Sequence, residues 1–283
     1  MVVWVIADCS SGSNRFPNIG SLSSLTPTSL TATKSSTGIP SSLFLQLHRS
    51  SRLNNPEYEF VSFNDPLTFT PPFRILTFIP DPSGLKILQS CNGLLFCCSS
   101  QTHNLKRKYY VYNHTTKQFT TLPTLGFGSP RPVHGVNFAF NPAKSPHYKV
   151  MCVQSSDFSS EHYQIKIYSS NTGPWRVSGQ PFIAHVNIQF NCGVYWNGAI
   201  HWLSIRGDPL CFVVDKKCLQ IMSMPPLPSG YDRRWFNYFG ESGDHLHLIE
   251  RYRPPNTQFN IYELERPFRV VCEVSNRPWF SCC

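Results

Sequence analysis

Two histidines, His245 and His247, stand two residues apart in the run HLHLIE. In a strand that spacing turns both imidazoles to one face, which is how a metal site can begin. Zinc asks for three or four protein donors. No further Cys, Asp or His is fixed by spacing to complete the set, so both are read as exposed or hydrogen-bonded strand histidines. His201, in AIHWLS, is flanked by apolar residues and is read as a core histidine with satisfied ring nitrogens. The stretch Gly240-Glu241-Ser242-Gly243 imitates a nucleophile elbow, but its fifth position is Asp244 instead of glycine, and a hairpin turn is expected there. Cys91-Asn92-Gly93 is turn chemistry as well, because Asn-Gly favours positive φ. The eleven cysteines contain no CxxC, and the adjacent pairs Cys97-Cys98 and Cys282-Cys283 lack ligand spacing. No catalytic constellation, metal set or cofactor site emerges, and the chain reads as non-enzymatic.

Residues suited to docking are easier to find. Aromatic and arginine side chains are the usual anchors of protein interfaces. Three short runs combine them: Pro174-Trp175-Arg176, Arg233-Arg234-Trp235 and Arg251-Tyr252-Arg253. Trp175 has a competing role, since the second strand of a blade commonly buries a tryptophan between blades. The formal net charge is +9, from 25 Lys and Arg against 16 Asp and Glu. These cations are scattered, as in Lys106-Arg107-Lys108 and Lys216-Lys217, and form no basic arm. They read as solvated turns, so specific nucleic-acid binding is not expected. No apolar stretch approaches the roughly 20 residues of a membrane helix. Met1 to Ala7 is too short for a signal peptide, and Phe280 occupies the place a prenylated cysteine would take. Cys97, Cys211 and Cys272 sit in apolar runs where a free thiol packs as a small hydrophobe. A reducing compartment, cytoplasm or nucleus, is expected.

The elements that must position these residues are strands. Charged residues make up only 14% of the chain and prolines number 24, which disfavours long wet helices and favours short strands and turns. Residues 9–42 hold 16 Ser or Thr and no acid, so 1–42 is read as a low-complexity, disordered segment ahead of a folded domain at 43–283. In that domain a hairpin pattern recurs: YYVYNHTTKQFTTLP, YQIKIYSSNTGPWRVSG, CFVVDKKCLQIMSMPP and FNIYELERPFRVV, with a fainter copy in YEFVSFNDPLTF. Tyr112, Tyr168, Val214 and Tyr262, taken as equivalent, stand 56, 46 and 48 residues apart. Each hairpin is preceded by a glycine-bearing apolar strand: CNGLLFCCS, GVNFAFNP, GVYWNGAIHWLS and YFGESGDHLHLIE. A period near 50 with about four strands per unit is that of a kelch-like blade. The expected fold is all-β, a kelch-like β-propeller of four-stranded antiparallel blades with five recognisable units. Glycine on the inner strands lets neighbouring backbones crowd together.

Read in order, PSGLKILQSCNGLLFCCS, FNPAKSPHYKVMCV, YQIKIYSSNTGPWRVSG, GVYWNGAIHWLS, MPPLP and YFGESGDHLHLIE resemble the propeller-type F-box-associated domain of plant F-box proteins, over roughly residues 40–270. The resemblance implies a target-holding module of an SCF-type ubiquitin-ligase receptor, with no bond chemistry of its own. In that family a helical F-box grips a Skp1-like adaptor and the propeller rim holds an unknown target protein. Residues 1–38 show no amphipathic helical period, and the chain stops at Cys283, where the family continues with further strands. An incomplete propeller with unpaired edges is therefore expected, and adaptor binding is not. Two other functions stay open: a truncated relative acting as a binder or competitor, and a propeller enzyme, whose mark would be buried carboxylates or histidines converging at the axis.

Overall fold

Short apolar runs cut by Asn-Gly, Gly-Asp and Thr-Lys turns leave the backbone one economical solution, the antiparallel meander. The computed structural model describes residues 2–6, 42–47, 57–62, 78–100, 107–113, 116–125, 131–156, 162–222, 224, 229–231, 234–251, 260–265 and 269–270. Among them the regular structure is strand, apart from one 3-10 turn at Phe190–Cys192. Four sheets each run in simple order. They are β4 (Leu85–Cys91), β5 (Leu94–Ser99), β6 (Tyr109–Asn113) and β7 (Gln118–Thr121); β8 (Val133–Ala139), β9 (Lys149–Ser155), β10 (His162–Ser169) and β11 (Gly173–Ile183); β12 (Val194–Trp196), β13 (Ala199–Trp202), β14 (Leu210–Val213) and β15 (Cys218–Ile221); and β16 (Trp235–Ser242), β17 (His245–Arg251), β18 (Asn260–Glu265) and β19 (Arg269–Val270). A fifth, three-stranded sheet joins β1 (Val2–Ile6), β2 (Ser42–Leu47) and β3 (Glu57–Ser62). Repeated four-stranded antiparallel sheets of this kind are β-propeller blades, and the fold is the expected all-β propeller class.

The four recurring hairpins are the third and fourth strands of the four blades; of the glycine-bearing runs, GVYWNGAIHWLS and YFGESGDHLHLIE span strands one and two, CNGLLFCCS supplies the turn and strand two, and GVNFAFNP lies in strand one alone. Turn chemistry fixes the register. Between first and second strands, Asn92 and Gly93 have φ of 47° and 82°, Asn197 and Gly198 of 51° and 81°, and Gly243 and Asp244 of 61° and 66°. Two consecutive positive φ values make the primed turn whose twist suits a hairpin. Gly240, Glu241 and Ser242 themselves belong to β16, so the turn lies later than the sequence placed it. Between third and fourth strands, Lys117, Gly173 and Lys217 occupy equivalent positive-φ positions. In the first and third blades burial drops at the last strand. All of β5 and β6 is buried, whereas β7 and the end of β15 are largely exposed, because a fourth strand has a neighbour on one side only.

One expectation needs correction. Val2–Ile6, placed within the disordered 1–42 segment, forms β1 and pairs in full with β2, Val2 against Gln46 through Ile6 against Ser42. Residues 7–41 lie outside the described residues.

By internal contacts the chain divides into two compact units. In the first (Met1–Pro132, Phe140–Lys149, Tyr168–Trp175), Leu85, Ile87, Leu95, Cys97, Tyr110 and Tyr112 form a buried cluster, with Phe78 stacked on Tyr112 at 3.9 Å. The Asn92 amide of one blade donates to Phe140 O of the next at 2.7 Å. In the second (Val133–Ala139, Val150–Ile167, Arg176–Cys283), Met151, Val153, Tyr163 and Ile165 pack against Phe190, Ile200, Trp202 and Phe212. Trp196, Cys211, Leu246 and Leu264 form the next interblade cluster. Inner-strand glycines do allow close approach. A Cβ on Gly135 would overlap the Phe190 carbonyl, and one on Gly193 would overlap the Asn137 amide and the Trp202 indole.

Candidate interaction surface

The eight residues proposed for docking fare differently. Trp175 lies on β11, half-buried: its indole tilts against Tyr168 at 5.7 Å and its Nε1–H donates to Pro123 O at 2.9 Å. That hydrogen bond ties β11 to the chain leaving β7, and Trp175 thus packs half-buried on a blade's fourth strand. Arg176, next in sequence, is exposed. Arg233, Tyr252 and Arg253 lie outside the described residues, and Arg251 ends β17.

Arg234 requires a correction. It is only 8% exposed, and its Nη1 bonds both carboxylate oxygens of Glu250, itself 0% exposed, at 2.8 and 2.9 Å. A guanidinium paired in this way is an internal clamp and offers little to a partner. The cause is strand alternation: entering β16, Arg234 turns inward and Trp235 outward. Trp235 is 37% exposed, and its register partner across the sheet is Arg251. Directly after it the register shifts between Phe236 and Tyr238, a bulge of the sort that re-aims side chains at an edge strand.

The histidines settle into structural roles. His201 is fully buried: Nε2–H donates to Trp196 O at 3.2 Å, and Nδ1 faces Met222 Sδ at 3.2 Å. Burial holds its imidazole down at about 4, a neutral ring, with the Trp196 carbonyl opposing the shift. His245 Nδ1 lies 2.6 Å from Glu263 Oε1, while His247 Nε2–H donates to Ser242 O at 3.1 Å. Among the described residues no three His, Cys, Asp or Glu side chains converge as a metal set. Sequence reasoning missed the Arg234–Glu250 clamp. Its signal was present in the strand alternation of GluArg against ArgTrp at the two strand ends.

Comparison with known proteins places these features. Residues 70–216 match the family described as the F-box associated beta propeller domain. Two proteins of Arabidopsis thaliana are similar to the chain. F-box protein At5g07610 is 35% identical over 233 residues, covering 74% of this chain and 53% of that protein. F-box protein At1g46840 is 23% identical over 171 residues, covering 57% and 34% respectively. The chain thus spans about half the length of the first relative.

Proposed function

This chain belongs to the F-box-associated β-propeller family, a protein-interaction family, and we propose that it holds a target protein for an SCF-type ubiquitin ligase. The observation that carries the reading is the family match, which runs through two complete blades and into a third. An exposed tryptophan set on a fixed strand supports it, because interfaces depend on a few rigid aromatic anchors. In this reading the chain performs no bond chemistry, and ubiquitin transfer belongs to other subunits. Adaptor binding belongs to whatever F-box accompanies the propeller. Without one, the chain acts as a binder that competes with longer relatives. Residence in the cytoplasm or nucleus accords with the free, buried thiols of Cys97, Cys98, Cys152 and Cys211.

The test joins these 283 residues to a relative's F-box and compares fused and unfused forms in plant cells. Proteins crosslinked to both forms should carry ubiquitin with the fused form alone. If neither form retains a protein beyond what a heat-unfolded chain retains, the reading fails.

A further inference from the structure

We infer that the seam between the second and third blades binds one buried water molecule, which accepts a hydrogen bond from Trp202 Nε1–H and donates one to Asn137 Oδ1. The inference goes beyond the target-holding reading and does not depend on it.

Three observations converge beside Gly193, where the first strands of the two blades, β8 and β12, lie against each other. The first is a pair of polar atoms drawn into the interior. Asn137 on β8 and Trp202 at the end of β13 are both 0% exposed, and neither Asn137 Oδ1 nor Trp202 Nε1 meets a hydrogen-bond partner among the described residues. Buried polar atoms are as a rule paired, with protein or with ordered water, because an unpaired one bears its whole desolvation cost. The second is that both atoms are aimed at one place. A Cβ on Gly193 would overlap Asn137 Oδ1 and Trp202 Nε1 alike. Gly193 has ordinary extended backbone, with φ −70° and ψ 147°, so these neighbours, and not its conformation, exclude a side chain there.

The third observation is that neither group is free to turn away. Asn137 Nδ2 donates to Phe190 O at 3.0 Å, which fixes the amide with its oxygen directed elsewhere. Flipping the amide would set its oxygen against the Phe190 carbonyl and its N–H groups against the indole N–H, two mismatches. The Trp202 indole stands edge-on to Phe190 at 5.3 Å and packs in the cluster that holds Ile200 and Phe212.

The two atoms together select the ligand. A cation would suit the amide oxygen and be repelled by the indole N–H, and an anion would do the reverse. Water both donates and accepts, and buried waters commonly bridge such otherwise unsatisfied groups.

Two measurements on the full chain test this. A crystal structure that resolves ordered water should show one density peak about 2.8–3.0 Å from both Trp202 Nε1 and Asn137 Oδ1. Direct contact between the two atoms at that distance overturns the inference, and so does a structure with no peak between them. In solution, the Trp202 indole N–H should give an NMR cross-peak with water whose laboratory-frame and rotating-frame Overhauser effects have opposite signs, the mark of a held water. Loss of its resonance in Trp202→Phe assigns the signal. Trp196 Nε1–H, which donates to Asp244 O at 2.8 Å, is the internal control and should lack this cross-peak. No cross-peak at Trp202 overturns the inference, as does one of equal strength at Trp196, which would mean general water entry into the blades. Asn137→Leu removes the acceptor and should abolish the Trp202 cross-peak, and its survival would overturn the bridge. Should that variant fail to fold, the parent's crystal structure and the Trp202–Trp196 comparison decide.

Discussion

His201 and Arg234 are both polar groups drawn into the protein interior, and they fail in opposite ways. The His201 ring is kept neutral by burial, with a folded value of about 4 against 6.5 in an open chain. Below pH 6.5 the unfolded chain takes up a proton that the folded one refuses, so stability falls as pH drops from 6.5 and the loss is complete near 4. The full difference amounts to about 3 kcal/mol. His201→Gln keeps a donor for the Trp196 carbonyl and removes the titration. Its melting temperature should lose less than the parent's between neutral pH and pH 4, and parallel melting curves would refute the assignment. Arg234 is a buried charge kept by its partner. Arg234→Met should cost ~3–5 kcal/mol in denaturant unfolding because Glu250 is left unpaired, and Arg234→Met with Glu250→Leu should recover most of it. The two sites were not equally legible. His201 was readable as a core residue from its apolar neighbours alone. Arg234 was not, because an Arg-Arg-Trp triplet looks like surface until a strand start assigns alternate residues to opposite sides.

At the scale of the element, the hairpins were the most legible part of the chain, because their signals are local. Asn-Gly sets a primed turn within two residues, and the strands on either side follow from alternation. Registers were less legible. Tyr112, Val214 and Tyr262 were aligned as equivalents, but the turns place Asn113, Val213 and Glu265 at matching ends of their third strands. The missed strand β1 has a different cause. Its partner lies some forty residues away, with Val2 against Gln46, and no local pattern reports such a pairing. Two turns that look alike in sequence should separate by experiment. Asn92→Ala and Asn197→Ala each place alanine in the left-handed region, at a cost of ~1–2 kcal/mol. Only Asn92 also sends its amide to Phe140 O of the next blade. Asn92→Ala should therefore be worse by a further ~1 kcal/mol in thermal unfolding. Equal losses would mean that the interblade hydrogen bond contributes nothing.

At the scale of the whole molecule, holding a target and gripping an adaptor make different physical demands on a chain. The strands spend their apolar residues on packing within and between blades, and among the described residues the large apolar side chains left exposed are scattered: Phe119, Val177, Ile183, Val186, Ile221, Trp235 and Ile261. Gripping an adaptor is a different physical problem. A helical interface needs an amphipathic stretch whose spaced leucines offset the entropy of ordering it. Residues 9–42 offer 16 Ser or Thr instead, and the first relative is about twice as long as the part this chain matches. A polypeptide of these 283 residues should therefore fail to retain a Skp1-like adaptor in a pull-down, while the same residues joined to a relative's F-box should retain it in equal amount. Equal capture by the unfused chain at submicromolar concentration would mean that residues 1–42 order on the adaptor. Deleting residues 7–41 would then abolish capture, whereas deletion without effect would move the grip onto the propeller itself.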